Sequence, residues 1–320
     1  MTAVTMKRKS FIKDIKKDWM LYTMLIILVV SLFIFNYIPM AGIQIAFKDY
    51  IIPLGNRKGG IWGSPWAKND FGQIDLLKNF KILFSDPKFW ATLKNTLRIS
   101  SLRIIFGFPV PIILVLLLNE LTSEKYKKLV QGISYLPYFI SWVIISNIFF
   151  DLTKTDSGFQ LVLESIFGHQ IKFFGDDNLF LLIVILTDIW KNAGWGTIIY
   201  FAALSNISPE LYEAASIDGA NRFQKMLYIT LPGLVPAISI NLIFALSGII
   251  YGGFDQIYNM YNETVYGKGD ILETYLFRSG LLGGDYSLGT ALGLFNSIIG
   301  LALTLIANKI IKKLGGNGIW

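Results

Sequence analysis

Asp188, Lys191, Asn192 and Trp195 recur at i, i+3, i+4 and i+7, the spacing that places side chains on one stripe of a helix. A carboxylate, an ammonium, a carboxamide and an indole can together hydrogen-bond hydroxyl groups and offer a flat apolar face, and the neighbouring Trp190 adds a second indole. That chemistry is recognition, not bond making. The 320-residue chain has no cysteine and one histidine, so thiolate nucleophiles, disulfides and Cys/His metal sites are excluded. His169 stands alone in a polar loop and reads as a surface residue. No G-x-x-x-x-G-K-[ST] loop occurs, so ATP is not expected to bind this chain in the usual way. No catalytic residue and no metal ligand is expected.

The stripe lies within an apolar run, 179–204, about as long as the roughly 20 residues that cross a hydrocarbon core. A charge at the bilayer centre costs about 2.5–3.5 kcal/mol on insertion scales, so the stripe must face protein or water. Two readings of the charged pair stay open: Asp188 and Lys191 line a pathway, or they form a structural pair buried against a partner subunit. Asn192 and Trp195 point towards the pathway. Further runs at 19–38, 97–118, 130–150, 233–254 and 287–307 give six spans in all. Within 233–254 and just past it, Phe244, Gly248, Tyr251 and Asp255 share a face, and Tyr251 and Asp255 suggest substrate admission at the outer end. Gly289, Gly293, Asn296 and Gly300 follow a small-residue spacing that suits helix packing.

Composition agrees with this layout: 53% of residues are apolar, 15% aromatic and 16% charged, far from a soluble domain of this length. The net charge of +7 would suit nucleic acid if it formed one face, but the basic residues cluster beside the apolar runs. They read as topology signals, and no nucleic-acid partner is expected. Lys7, Arg8, Lys9, Lys13, Lys16 and Lys17 precede the first run, which is too long for a signal-peptide core and stays as an anchor. Lys125, Lys127 and Lys128, then Arg222 and Lys225, then Lys309, Lys312 and Lys313 fall on the same side, so both termini are expected in the cytoplasm. Residues 1–18 form the cytoplasmic N-terminal segment, and 19–320 one membrane domain with a long extracytoplasmic loop at about 40–95. Gly55, Gly59, Gly60, Gly63 and Pro65 punctuate that loop, and an interfacial helix interrupted at Asp86-Pro87 leads into the second span.

One polar island between apolar runs reads as a helix, a turn and a helix. Ser208 is the N-cap, Pro209 the first helical residue, and Glu210 complements the helix dipole. Gly219 supplies the left-handed position that ends the first helix, roughly 14 Å long at 1.5 Å per residue. A second helix starts near Asn221, and Pro232 is expected to close it. Within this island Glu213, Ala214, Ala215, Asp218, Gly219 and Ala220, followed by Ile229, Leu231 and Pro232, resemble the EAA loop, about 205–232 here, of type I ABC importer permeases. Phe223 stands where that loop often has Trp, and Met226 where Phe is frequent.

The resemblance implies an all-α polytopic membrane protein with six transmembrane helices in the MetI-like permease fold, in the cytoplasmic membrane of a bacterium. It further implies that 213–220 is a coupling helix seated in a cleft of an ATPase subunit, that two copies of that ATPase bind ATP and Mg, and that this chain binds no cofactor. A second homologous permease, an extracytoplasmic solute-binding protein and an oligosaccharide substrate complete the implied partners, with spans three to six forming most of the pathway. YIPMAGIQIAFKDY (37–50), LLLNEL (116–121), QGISYLPYFISWV (131–143) and GGFDQI (252–257) are similar to the LplB-type permeases of carbohydrate importers. The stretch 67–79 is longer and more polar than in that branch. Importers of other solutes share the coupling motif, and a channel or sensor subunit that uses the loop only for docking is a further reading.

Overall fold

A computed structural model describes residues 17–53, 59–313, 315–316 and 318–319 of the chain. The basic cluster at Lys7, Arg8, Lys9, Lys13 and Lys16, and Gly55, Arg57 and Lys58 of the first loop, lie outside the described residues. Helices carry the rest. They run as α1 (Trp19–Phe47), α2 (Lys78–Ser85), α3 (Pro87–Asn119), α4 (Glu124–Phe139), α5 (Trp142–Thr153), α6 (Gly158–Phe167), α7 (Asp177–Leu204), α8 (Pro209–Ile217), α9 (Arg222–Ile250), α10 (Phe254–Met260), α11 (Leu272–Leu276, continued by a π turn to Leu282) and α12 (Tyr286–Lys313). Among the described residues, pairing between extended segments is limited to two isolated bridges, Lys48 with Trp66 and Lys68 with Ile74, in the first loop.

Among the described residues five helices, α1, α3, α7, α9 and α12, are long and apolar enough to cross a membrane, and the α4–α5 pair makes a sixth if its 94° bend is one broken span. The span expected at 130–150 is therefore bent. Pro137 sits in a tight 3₁₀ turn over Leu136–Phe139, the chain turns extended at Ile140 and Ser141, and Ser141 caps α5. The second span also starts earlier than residue 97, because Asp86 caps α3 by accepting from the Lys88 N–H at 2.9 Å and Pro87 occupies the first turn.

Three prolines within the spans share one device. A π turn ends two residues before Pro39, Pro109 and Pro232, over Phe33–Tyr37, Arg103–Gly107 and Met226–Thr230. Widening the turn to an i→i−5 bond gives the carbonyls crowded by the ring somewhere to go. So Pro232 does not close the second helix of the polar island, as the sequence reading expected. The helix from Arg222 passes through it and continues to Ile250.

Two apolar clusters hold the polar side chains in place. Ile99 of α3, Phe180, Val184 and Ile185 of α7, and Ile257 and Met260 of α10 form one; Leu83, Phe89, Ile250, Leu272, Tyr275 and Leu292 join α2, α3, α9, α11 and α12 in the other. Gly289 packs on the backbone of Gly280, where an added Cβ would come within 3.0 Å of the Gly280 Cα, in keeping with the expected small-residue packing. Outside these clusters large apolar side chains are exposed along whole helices, most completely on the apolar run of α1, where none is buried.

Candidate functional site: a polar centre around α7 and an exposed helical turn

The stripe on α7 divides between two environments. At about 100° per residue, Asn192 lies roughly 40° to one side of Asp188, and Lys191 roughly 60° to the other. On the first side, Asn192 Nδ2 donates to Asp188 Oδ1 at 3.0 Å, and both line a cavity of about 330 Å³ with Ser100, Arg103, Phe244 and Tyr251. On the second, Lys191 turns away from Asp188. Its ammonium donates to the carbonyls of Pro137 at 3.2 Å, Tyr138 at 2.8 Å and Ile140 at the α4–α5 bend, where the Pro137 carbonyl also accepts from the Ile140 N–H at 3.2 Å. The Tyr138 and Trp142 rings lie 5.5 and 5.4 Å from the same ammonium. Asp188 and Lys191, open to a reading as pathway residues or as a structural pair, thus sit on one helix but serve different neighbours.

Trp195 goes with Lys191. Its ring stacks on Tyr138 at 4.3 Å and 1°, and meets Phe139 edge-on at 5.6 Å, so one indole face is already covered. Trp190 is half exposed and lines neither the Asp188 cavity nor its neighbour.

The partner of Asp188 is Arg103, a residue the sequence reading passed over inside the second span. Arg103 opens the π turn of α3, its Nε 3.7 Å from Asp188 Oδ1 and without a hydrogen-bond partner of its own. Its Nη1 donates to the Gly252 carbonyl at 2.6 Å and its Nη2 to Gln256 Oε1. Gln256, fully buried, donates in turn to the Val184 carbonyl at 2.7 Å and Thr187 Oγ1 at 2.8 Å, tying α10 to α7. The signal was present in the sequence, since an arginine at membrane depth demands a partner. Gly253 admits the guanidinium: its φ is +83°, and a Cβ there would lie 2.3 Å from Arg103 Nη1.

Tyr251 and Asp255 are separated by that glycine. Tyr251 ends α9 in extended conformation and lines the first cavity, whereas Asp255 is on α10, exposed, and lines an adjoining cavity of about 270 Å³ with Arg103, Trp142, Asp188 and Glu273. The shared face expected for Tyr251 and Asp255 is thus broken, and Arg103 and Asp188 form the wall between the two cavities. At one end of α7, Asp176 caps the helix, and the Leu179 and Asn178 N–H groups hold its carboxyl below the usual carboxylate range.

The polar island follows local rules closely. Ser208 Oγ accepts from the Glu210 N–H at 3.3 Å with Pro209 in the first turn, and Gly219 takes φ +79°. Asn221 and Gln224 form a reciprocal capping box, at 2.9 and 2.8 Å, that starts α9. Lys225 Nζ donates to Ser216 Oγ at 2.7 Å, and Tyr212 Oη meets Thr230 Oγ1 at 3.0 Å, so α8 is fastened to the start of α9. Glu213, Ala214, Asp218 and Gly219 are exposed, Ala215 and Ala220 half-buried, and Ile217 presents 87% of its surface. That is a partly apolar surface that no described residue covers.

Comparison with known proteins gives the family of the chain. Residues 102–315 match the family described as "Binding-protein-dependent transport system inner membrane component". The chain belongs to that family and is a multi-pass membrane permease. Protein LplB of Bacillus subtilis (strain 168) is 40% identical over 312 residues, 97% of this chain and 94% of that protein. The polygalacturonan/rhamnogalacturonan transport system permease protein YteP of the same organism is 40% identical over 315 residues, 98% of this chain and 94% of that protein. A chain in the crystal structure of a bacterial alginate ABC transporter, in complex with an alginate pentasaccharide-bound periplasmic protein, superposes with a TM-score of 0.83 at 38% identity. It covers 96% of this chain and 99% of that one.

Proposed function

We propose that this chain is a membrane subunit of an ATP-driven oligosaccharide importer, forming half of the translocation pathway and receiving the force of ATP hydrolysis at the α8–Gly219–α9 turn. The observation that carries the reading is the continuity of α9. It starts at the capped, exposed turn and runs without a break past Pro232 to Phe244, Ala245 and Gly248 in the cavity wall, about 33 Å away at 1.5 Å per residue. A displacement of the turn by another subunit moves the cavity wall as a rigid body. Asp188 and Asn192, with Arg103 behind them, are the groups in that wall suited to sugar hydroxyls, while Lys191 and Trp195 hold the α4–α5 bend beside it. Both termini are cytoplasmic on this reading, ATP and Mg belong to two copies of a separate ATPase, and a second permease and an extracytoplasmic binding protein complete the complex. The sugar-transporting relatives support an oligosaccharide as the solute.

The test is substrate-stimulated ATP hydrolysis in the complete complex reconstituted in lipid, with and without Gly219→Val. Valine at a left-handed position is strained and spoils the turn but touches no span. The variant is expected to reach the membrane at normal yield and to lose stimulation by the loaded binding protein. Full stimulation in Gly219→Val would remove the turn from coupling, and no stimulation of the unmodified complex by any sugar-loaded binding protein would leave the turn a docking module only.

A further inference from the structure

Past Tyr251, away from Asp188, the wall opens into a third cavity of about 370 Å³, lined by Tyr251, Phe254, Glu273, Phe277, Asn296 and Ser297 among others. Its volume falls within the range of small-molecule sites, about 300–1,000 Å³. Asn296 is the informative residue. It is 4% exposed on α12, in a helix surface otherwise built of small residues for packing, and its Oδ1 has no hydrogen-bond partner. A buried carbonyl oxygen left unsatisfied is rare in a settled structure and marks a place where a donor from outside the chain belongs. Around it the Phe254 and Phe277 rings lie 5.3 Å apart at 56°, and Tyr251 keeps 46% of its surface exposed between this cavity and the one that holds Asp188 and Asn192.

We propose that this cavity is a second saccharide subsite, placed next to the Asp188–Asn192 cavity and divided from it by the Tyr251 ring, and that it takes an uncharged sugar unit. The proposal rests on the reading of the chain as an oligosaccharide permease. An acceptor in Asn296 Oδ1 and a carboxylate in Glu273 suit hydroxyl donors, and the aromatic rings suit the C–H face of a pyranose. Glu273 is the one charged residue lining the cavity, its Oε2 accepting from the Phe254 N–H at 3.0 Å. A uronate carboxylate placed there meets like charge in a partly desolvated space, while the cation that faces Glu273, Arg103, lines the adjoining cavities and not this one. The two cavities together hold consecutive units of one chain.

Because the chain has no cysteine, single thiols report each cavity. Ser297→Cys reports the proposed subsite and Ala245→Cys the Asp188 cavity, both in the complete complex with its binding protein, labelled with a small methanethiosulfonate reagent. The probes are maltopentaose, cellopentaose and arabinopentaose, with an alginate pentasaccharide as the acidic counterpart. The neutral sugar that stimulates ATP hydrolysis is expected to slow labelling at both thiols. Adding Asn296→Leu should cost about tenfold in protection at Ser297→Cys, one hydrogen bond's worth, and leave Ala245→Cys protected. Asn296→Ser, which keeps a polar group in less volume, should lose less and guards against a packing failure. Protection at Ala245→Cys alone, a Ser297→Cys thiol that never labels because a partner helix fills the space, or protection of Ser297→Cys by the alginate pentasaccharide and not by any neutral probe would each overturn the subsite as described. Absence of protection at both thiols would instead remove the oligosaccharide pathway on which it rests.

Discussion

The turn between α8 and α9 and the polar centre around α7 are both built from short-range helical spacing, yet they obtain their geometry in different ways. In the turn the partners lie close in sequence: Ser208 with Glu210, Asn221 with Gln224, Lys225 with Ser216, Gly219 on its own backbone, and the longest reach is from Tyr212 to Thr230. At the polar centre the partners come from far along the chain, Arg103 reaching Asp188, Gly252 and Gln256, and Lys191 reaching back to Pro137, Tyr138 and Ile140. The exposed turn is thus stabilised locally. A wall between cavities is held by groups from several helices, so that it responds when any of them moves.

Breaking the long-range side should have the largest effect. Arg103→Met leaves Asp188 in a partly buried site without its counter-charge and removes the donors to Gly252 and Gln256, a loss of about 3–5 kcal/mol for a broken buried pair. The expected result is a sharp fall in the yield of folded protein and in its Tm in detergent. Adding Asp188→Asn to Arg103→Met should recover part of both, because the uncompensated charge is gone. If the double variant is no better than Arg103→Met alone, the guanidinium acts through Gly252 and Gln256 and not through Asp188.

Lys191→Met is the next test of the same contrast. Methionine keeps the aliphatic stem but takes the ammonium from the Tyr138 and Ile140 carbonyls and leaves Pro137 only its bond from the Ile140 N–H, at about 1–3 kcal/mol for the unsatisfied groups. The bend should loosen while α7 stays intact, which would appear as faster hydrogen exchange confined to 136–142. Lys191→Arg, still a donor, should behave nearly as the unmodified chain. Equal exchange in Lys191→Met and the unmodified protein would mean that Pro137 and the Trp195–Tyr138 stack hold the bend by themselves.

These contrasts also explain what could be read in advance. The all-helical spans, the Asp86-Pro87 break, the Ser208 cap and the left-handed Gly219 follow from residues a few positions apart, and the sequence carries them openly. The bend at Ile140 and Ser141 did not show, because the hydropathy of 130–150 is continuous and the donor that makes the bend tolerable sits some fifty residues away on α7. Pro232 misled for a related reason: a proline interrupts a helix only if the preceding turn cannot widen, and the π turn at Met226–Thr230 does widen. Asp188 and Lys191 shared a stripe, but a stripe about 100° wide can serve two neighbours, and spacing along one helix does not say where the neighbours stand. Arg103 was legible as an arginine within a span; its partners were not.

The smallest effect is expected on the local side, at Ser208→Ala. The hydroxyl accepts from the Glu210 N–H at 3.3 Å, a long bond, and Pro209 already fixes the first helical residue, so the loss should be about 1 kcal/mol or less. Nothing outside α8 depends on that cap: the helix is fastened separately by Lys225 to Ser216 and by Tyr212 to Thr230. Exchange at the Glu210–Tyr212 amides should therefore rise by about fivefold at most, the equivalent of 1 kcal/mol. Exchange in α7 and at 136–142 should not change. If Ser208→Ala instead loosens α9 as far as Phe244, the turn and the cavity wall form one cooperative unit even at rest. The separation between a locally held surface and a wall held from a distance would then have to be given up, because a lever that melts with its own tip cannot pass a displacement along its length.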